Sequence, residues 1–490
     1  MIYKYSDYIK IDTKEEHLMN SGKDTELELL QRSNRGIVKA EKYGDTYDTR
    51  CFAEYCIKER LSVVVVENDA RYVYNQNKGI YERMTETVFS TLLMNIMDEY
   101  NSQLYSNRKE QDVIAYIDKL AVTYKEKPEN HRYIVMRNGV YDLKKCEFSH
   151  KFNSNIFSIY VLNYNYDENA GCEKFKSFLM DIFNGDEELI RVVQEMFGYT
   201  FCYGWSPIDC FYFLYSAGRS GKSVLCNILK FLHGEDRVSG VSLSGLEERF
   251  QIASIKDKVV NISSENTKSK IMESGRLKAI TGRDTVVVEE KYKEPKSLQI
   301  HTKLIIVSNH FLNISDNSNG LWQRIKPIPF PNTYVPKPIN GTIRSNVKYQ
   351  IPDLEKTLLS EISGIFNWAI EGLCKLRENN YVFSESKTVN LFKNQLMVFN
   401  KPVDVFVEYC VQGTEEKHNI PSSDIHSSFK KWAVASEIDI EEYMDARKFH
   451  MEFKSCLSAK GIEYVYKKNN VNRYYGIKLV ENYINQAPCY

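Results

Sequence analysis

An apolar run, Phe211-Tyr212-Phe213-Leu214-Tyr215, leads directly into Ser216-Ala217-Gly218-Arg219-Ser220-Gly221-Lys222-Ser223, and an amphipathic stretch follows over residues 224–232. A strand, a glycine-bearing turn and a helix in that order demand an α/β layout, because a crossover helix returns the chain to a parallel strand. Gly218 and Gly221 let the turn curl until backbone N–H groups converge on one point. Lys222 can reach outer phosphates, Ser223 can ligate magnesium, and the helix N-terminus adds its dipole. The segment therefore reads as a phosphate-binding loop, with Ser216, Ala217, Gly218, Arg219, Ser220, Gly221, Lys222 and Ser223 as the ATP contacts. Ser216 stands where the usual pattern has glycine. A Gly-Lys-Ser triplet alone is often a plain turn before a helix; the flanking strand and helix favour phosphate.

The 490 residues leave room for several domains with sizeable cores. Lysine plus arginine and aspartate plus glutamate both number 65, so any nucleic-acid surface must be local. No apolar run is long enough to span a membrane, and the N-terminus lacks the apolar core of a signal peptide; a cytoplasmic protein without membrane contact is expected. The eleven cysteines include no CxxC pair. Cys51 and Cys56 lie closest, with no second pair or histidine cluster to complete a zinc site, so reduced thiols are expected.

Residues 1–60 are charged and weakly patterned, with a helix suggested over 24–31. From residue 61 the chain turns β-rich (Ser62-Val63-Val64-Val65-Val66, Arg71-Tyr72-Val73-Tyr74, then Ile80-Tyr81), with helices expected over 86–100 and 111–124. Arg137-Asn138-Gly139 between two apolar runs is a hairpin signal. Helices over 172–183 and 187–197 lead into the phosphate-loop strand. A proline-bearing loop after Phe330 precedes a helix over 354–376. The resulting divisions are 1–60, an α+β domain over 61–200, a P-loop core over 201–335, a helical lid over 336–421 and a last module over 422–490.

Beyond the loop, Val259-Val260-Asn261-Ile262-Ser263-Ser264-Glu265 is a buried strand ending in one carboxylate, where a P-loop enzyme keeps its magnesium-side acid and its base. Taken alone, such a strand is usually plain structure. Val286-Val287-Val288 and Ser297-Leu298-Gln299-Ile300 form a hairpin whose tip carries Lys291, Tyr292 and Lys293. That tip suits a DNA phosphate and a stacked base, or is a solvated turn. Leu304-Ile305-Ile306-Val307-Ser308-Asn309 ends in an amide able to orient an attacking water. Arg324, after Leu321-Trp322-Gln323, can reach across a subunit boundary; an arginine beside tryptophan is otherwise a surface stack.

The last module reads as a winged-helix unit: a helix over 425–433, a second over 446–459 capped by Asp445 and closed by Gly461, then two strands around 469–472. Between Ala446 and Lys478 stand eight basic residues and two acids, an excess of six in a neutral chain. Arg447, Lys448, Lys454, Lys467, Lys468 and Arg473 are the candidate DNA contacts. A basic solubilising face is the bland alternative.

In combination, the phosphate loop, Ser-Ser-Glu265, Leu277-Lys278-Ala279-Ile280-Thr281-Gly282-Arg283-Asp284, Lys291-Tyr292-Lys293-Glu294-Pro295, Ile306-Val307-Ser308-Asn309 and Leu321-Trp322-Gln323-Arg324 resemble superfamily 3 helicases. The likeness is to the poxvirus-type and phage or plasmid primase-helicases, and within them to replication initiators of staphylococcal pathogenicity islands. Tyr72-Val73-Tyr74, Asn138-Gly139-Val140-Tyr141-Asp142-Leu143 and Gln194-Glu195-Met196-Phe197-Gly198-Tyr199 resemble the region before the motor. The resemblance implies an AAA+ core, ATP and Mg2+ as cofactors and a hexameric ring around single-stranded or forked DNA. It implies Glu265 as the acid that joins Ser223 at the metal, Asn309 as sensor, Lys278 in the third motif and Arg324 as a finger given to a neighbour. With no room for a priming domain before residue 61, a separate primase and host replication machinery are expected partners. The leading expectation is a helicase that binds its own origin. A nucleotide-switched origin-binding scaffold is the alternative, and a small-molecule kinase fits less well.

Overall fold

The computed structural model describes residues 4–21, 24–40, 44–67, 70–125, 127–128, 132–265, 270–271, 275–291, 294–314, 319–336, 348–414, 418–435, 445–468 and 471–480. Its contacts divide the chain into two compact units, Met1–Asn169 and Ala170–Tyr490.

In the first unit, the period-two runs become antiparallel strands Val63–Val66, Ala70–Asn75 and Ile80–Met84, with Val63 opposite Val73 and Tyr74 opposite Tyr81. Val122–Tyr124 joins parallel to Val63–Val66. The sequence extends the preceding helix through these residues. The helix instead stops at Leu120, because Ala121 is extended and the β-prone Val-Thr-Tyr tail gains a ladder on the sheet edge. One sheet face buries Val63, Val73 and Met84 against Phe89, Leu93 and Ile96 of helix Glu86–Asn101 and Val113 and Ile117 of helix Asn107–Leu120. Tyr8, Tyr47, Phe52 and Tyr55 enter the same core, so the weakly patterned first sixty residues are built into this unit. Polar burial explains their weak pattern: Arg35 is fully buried and paired with Glu15, and Arg60 donates to Glu99 at 2.7 Å.

The second unit is organised by five parallel strands: β1 Phe211–Tyr215, β2 Val238–Ser239, β3 Val260–Glu265, β4 Lys303–Ser308 and β5 Ile325–Pro329. Their order across the sheet is β2-β3-β4-β1-β5. Both faces are covered, which is why the main strands read as apolar runs rather than alternations. On one face Phe211, Phe213, Leu304 and Ile306 pack with Leu277 and Ile280 of helix Gly275–Thr281 and Phe392 and Leu396 of helix Lys387–Asn400. On the other, Tyr212 meets Phe383 edge-on at 6.0 Å. Helix Glu187–Tyr199 crosses helix Ile362–Glu378 at glycines: a Cβ on Gly198 would lie 2.3 Å from the Leu373 nitrogen. That crossing ties residues 187–199 to the second unit, whereas the sequence alone groups them with the region before it. The helix expected over 354–376 is two, Leu354–Leu359 and Ile362–Glu378. Among the described residues no helix is long and apolar enough to cross a membrane.

At the end of this unit, helices Pro402–Cys410, Ser422–Ala435 and Ala446–Ala459 enclose Phe406, Phe429, Trp432, Phe449, Phe453 and Leu457. Strand Arg473–Tyr475 runs antiparallel between Asn419–Pro421 and Val465–Lys467, and Tyr474 plugs the core. Val398 and Val403 belong to the same core, upstream of residue 422. Asp445 caps its helix by accepting from the Arg447 N–H at 2.8 Å.

Candidate active site

The phosphate-loop motif leaves β1 at its carboxyl end and enters helix Lys222–His233. Gly218, Arg219 and Gly221 take φ values of +119°, +48° and +90°, a curl in which Gly221 leads straight into the helix. No side chain caps that helix, which leaves its first N–H groups without a side-chain acceptor. Lys222 is buried, and its ammonium donates to the Ser216 hydroxyl, to the Ser216 carbonyl at 3.3 Å and to Asn309 Oδ1 at 2.9 Å. Burial pushes its pKa down to about 8. Ser216, the departure from glycine, also accepts from the Gly218 N–H at 3.1 Å and the Ser220 hydroxyl at 2.7 Å. Its hydroxyl thus organises the loop and steadies the lysine.

A cavity of about 400 Å³ opens over the loop. Arg219 through Val224 and Asn309 form its polar floor, and Phe178, Ile182, Tyr334, Tyr349, Ile351 and Leu354 form an apolar wall. The Tyr334 N–H fastens the wall to the loop by donating to the Arg219 carbonyl at 2.8 Å, and Lys348 pairs with Asp181 of the helix before the loop at 2.8 Å. A cationic floor beside an aromatic wall can hold a phosphorylated ligand with a flat ring.

Register brings the other candidate residues to the same edge. Tyr215 of β1 and Glu265 of β3 both stand beside Ser308 of β4, one residue before Asn309. The Glu265 backbone closes β3 there, and its side chain lies outside the described residues. Ser223 is exposed to the cavity. A hydroxyl at the helix start and a strand-end carboxylate are oxygen donors of the kind magnesium takes.

Arg324 is not among them. It precedes Ile325, which pairs with Phe211 at the amino end of β1, so a strand's length separates it from Lys222. Its guanidinium donates to the Gly320 carbonyl at 2.7 Å and to Asp209 at 3.3 Å, and Asp209 also receives Arg283 at 3.2 Å. Lys278 lies in helix Gly275–Thr281, whose end carries the Gly282 N–H back to the Lys278 carbonyl. Sequence reasoning passed over Lys303, the first residue of β4. It is fully enclosed, donates to the carbonyls of Cys202, Trp205 (2.7 Å) and His301 (2.9 Å), and burial pushes it to about 8. A lysine opening an otherwise apolar strand is the signal that could have found it.

The hairpin pairs Thr285–Val288 with Lys296–Gln299. Lys291 is exposed at its tip, while Tyr292 and Lys293 lie outside the described residues. In the last module the basic residues divide. Arg447 and Lys468 are exposed. Lys448, in the helix's first turn, is half-buried. Lys454 lies 3.4 Å over the Tyr466 ring, Lys467 lies 5.0 Å from the Tyr475 ring, and Arg473 donates to Asn419 at 2.6 Å.

Three family descriptions match successive segments: "D5 N terminal like" over residues 44–184, "Family of unknown function (DUF5906)" over 214–324, and "Poxvirus D5 protein-like" over 385–487. The chain is 25% identical over 325 residues to candidate helicase L207/L206 of Acanthamoeba polyphaga mimivirus, which covers 62% of this chain and 33% of that protein. It is 24% identical over 336 residues to candidate helicase 121R of Invertebrate iridescent virus 3, covering 63% and 35%. The chain thus spans about a third of the length of these relatives. Among solved structures, the apo NrS-1 C-terminal region aligns with 85% of this chain and 96% of its own at 13% identity, with a TM-score of 0.46. The two D5-like segments and the two viral relatives make this chain similar to poxvirus D5-like proteins and to viral proteins named as helicases.

Proposed function

We propose that the chain is an ATP-driven DNA helicase of the superfamily 3 type that works as a ring and selects its starting site through the C-terminal module. Lys222 carries this reading: a buried ammonium at an uncapped helix N-terminus, held by the neutral oxygens of Ser216 and Asn309 at the floor of a cavity. Neutral acceptors do not balance a buried charge, and a triphosphate does. The β2-β3-β4-β1-β5 order supports an AAA+ core, since β4 between β1 and β3 sets Asn309 and Glu265 beside the loop.

In this reading Lys222 binds the outer phosphates, Asn309 orients the attacking water and Glu265 accepts its proton. Ser223 and Glu265 would hold Mg2+, which would neutralise charge on the transferring phosphoryl group. Arg324, at the opposite end of the sheet, serves the nucleotide of a neighbouring copy, which makes assembly a condition of turnover. A hexamer is the ring the family likeness implies. Lys291 with Tyr292 and Lys293 grips the strand, and the winged-helix order of the last module supports origin-duplex binding. The helicase names of the viral relatives support unwinding. The narrower likeness to staphylococcal island initiators rests on motif order alone.

The test is ATP-dependent displacement of a labelled strand from a forked duplex by wild type, Lys222→Ala and Arg324→Ala. Displacement by wild type alone is expected. Tight, ATP-dependent DNA binding with no displacement would favour the nucleotide-switched scaffold.

A further inference from the structure

Helix Ala446–Ala459 has two faces. Phe449, Phe453, Cys456 and Leu457 recur at helical spacing and are buried in the module's core. Half a turn away, Arg447, Met451, Ser455 and Ser458 share the opposite face, and all four are exposed. Met451 is the one apolar residue of the four, with 71% of its surface in water. Its thioether makes no part of the module's core and offers an apolar contact between polar neighbours. The surroundings are electropositive, with eight basic residues against two acids between Ala446 and Lys478.

Several of those cations are turned elsewhere. Lys454, on the margin of the face, has its ammonium 3.4 Å over the Tyr466 ring. Lys467 is drawn to Tyr475 and Arg473 to Asn419. What remains able to enter a groove from this helix is the exposed stripe itself. From Arg447 to Ser458 it rises about 16 Å, enough to follow four or five base steps.

We propose that Arg447, Met451 and Ser455 read base edges in the major groove of duplex DNA, with Met451 seated against thymine methyl groups. The inference rests on the reading of this module as a duplex-DNA binder. Arginine pairs with guanine O6 and N7, serine donates or accepts at either kind of pair, and an apolar side chain selects the thymine methyl. The unbranched thioether of methionine adapts to that methyl without a fixed rotamer. One helical turn, about 6 Å, separates Arg447 from Met451, so the preferred thymine lies within about two base pairs of the guanine.

The experiment uses the full chain. Preferred duplexes are selected from a random pool, and affinity is then measured with each thymine of the preferred site replaced in turn by deoxyuridine, which lacks only the methyl. Wild type should lose about 3–5-fold at one or two thymines. Met451→Ala should bind the thymine and uracil duplexes equally while its salt dependence stays unchanged. Arg447→Ala should relax the preference at a nearby G·C pair by about 10-fold or more. A preferred duplex whose thymines Met451→Ala still distinguishes from uracil as wild type does would overturn the inference and leave the module's reading standing. Failure of wild type to prefer any duplex over the pool would overturn both.

Discussion

The two ends of the parallel sheet each bury a lysine, and burial lowers the pKa of both, yet their surroundings are opposite. Lys222, beyond the carboxyl end of β1, touches one hydroxyl, one carbonyl and one amide oxygen and faces a cavity of about 400 Å³. Lys303, at the amino end of β4, is enclosed by the carbonyls of Cys202, Trp205 and His301. Burial pushes both to about 8. The difference is where the compensating oxygens come from. Backbone carbonyls come with the fold and make Lys303 a fastener, whereas Lys222 faces an open cavity, where the proposed function places a triphosphate. A depressed lysine is therefore no functional marker until its surroundings are known.

The largest expected effect separates these roles outright. Lys222→Met should reduce ATP hydrolysis by at least about 10³-fold while leaving the melting temperature unchanged or raised, because it removes an unbalanced buried charge. Steady-state turnover and calorimetry on one preparation check both halves; a large loss of stability would make Lys222 a fastener as well. Next, Arg324→Ala should lower turnover by about 10²–10³-fold with nucleotide affinity unchanged, since its own site lies at the other end of the sheet. Mixing it with Lys222→Ala copies should restore some hydrolysis, and failure to do so would count against action between copies.

Lys303→Met should behave inversely. The carbonyls of Cys202 and Trp205 lose this donor and that of His301 keeps the Ser206 hydroxyl, so stability should fall by about 2 kcal/mol in denaturant unfolding, with nucleotide affinity of the folded protein retained. The effect depends on pH. Between about 8 and 10.5 the unfolded chain holds a proton on Lys303 that the native state does not. Stability from this group therefore rises with pH across that window, and wild type should gain on Lys303→Met from pH 7.5 to 9.5. The smallest effect is at the C-terminal surface. Lys468→Ala should reduce the slope of log affinity against log salt by about 0.9, and Lys454→Met by less, because Lys454 is held over Tyr466.

Much of the site's chemistry is legible in the chain because it is local. The strand, turn and helix around Lys222 lie within a few residues of one another, and Asp445, the hairpin over 285–299 and the apolar runs of β1, β3 and β4 all follow from periodicity and capping. The first sixty residues are not legible, because their stabilising groups are buried ions such as Arg35 with Glu15, partners 20 residues apart with no hydrophobic pattern to join them. The Val122–Tyr124 strand is missed for a related reason: a three-residue edge has too little period to outweigh the helix before it.

By itself the sequence determines that this chain builds a glycine-bearing turn between a buried strand and a helix, follows it with a second acidic and a third polar strand end, and carries a basic module over its last described residues. Those are choices of residue type at short range, where backbone geometry leaves few alternatives. Only the tertiary structure decides which like residues do different work. Strand order sets Asn309 and Glu265 beside the loop and Arg324 at the far end of the sheet. Packing encloses Lys303 in carbonyls, turns Lys454 onto an aromatic ring and leaves Met451 bare. The physical reason is that a charge or a methyl acquires its role from the dielectric and the partners around it, and those come from parts of the chain far away in sequence.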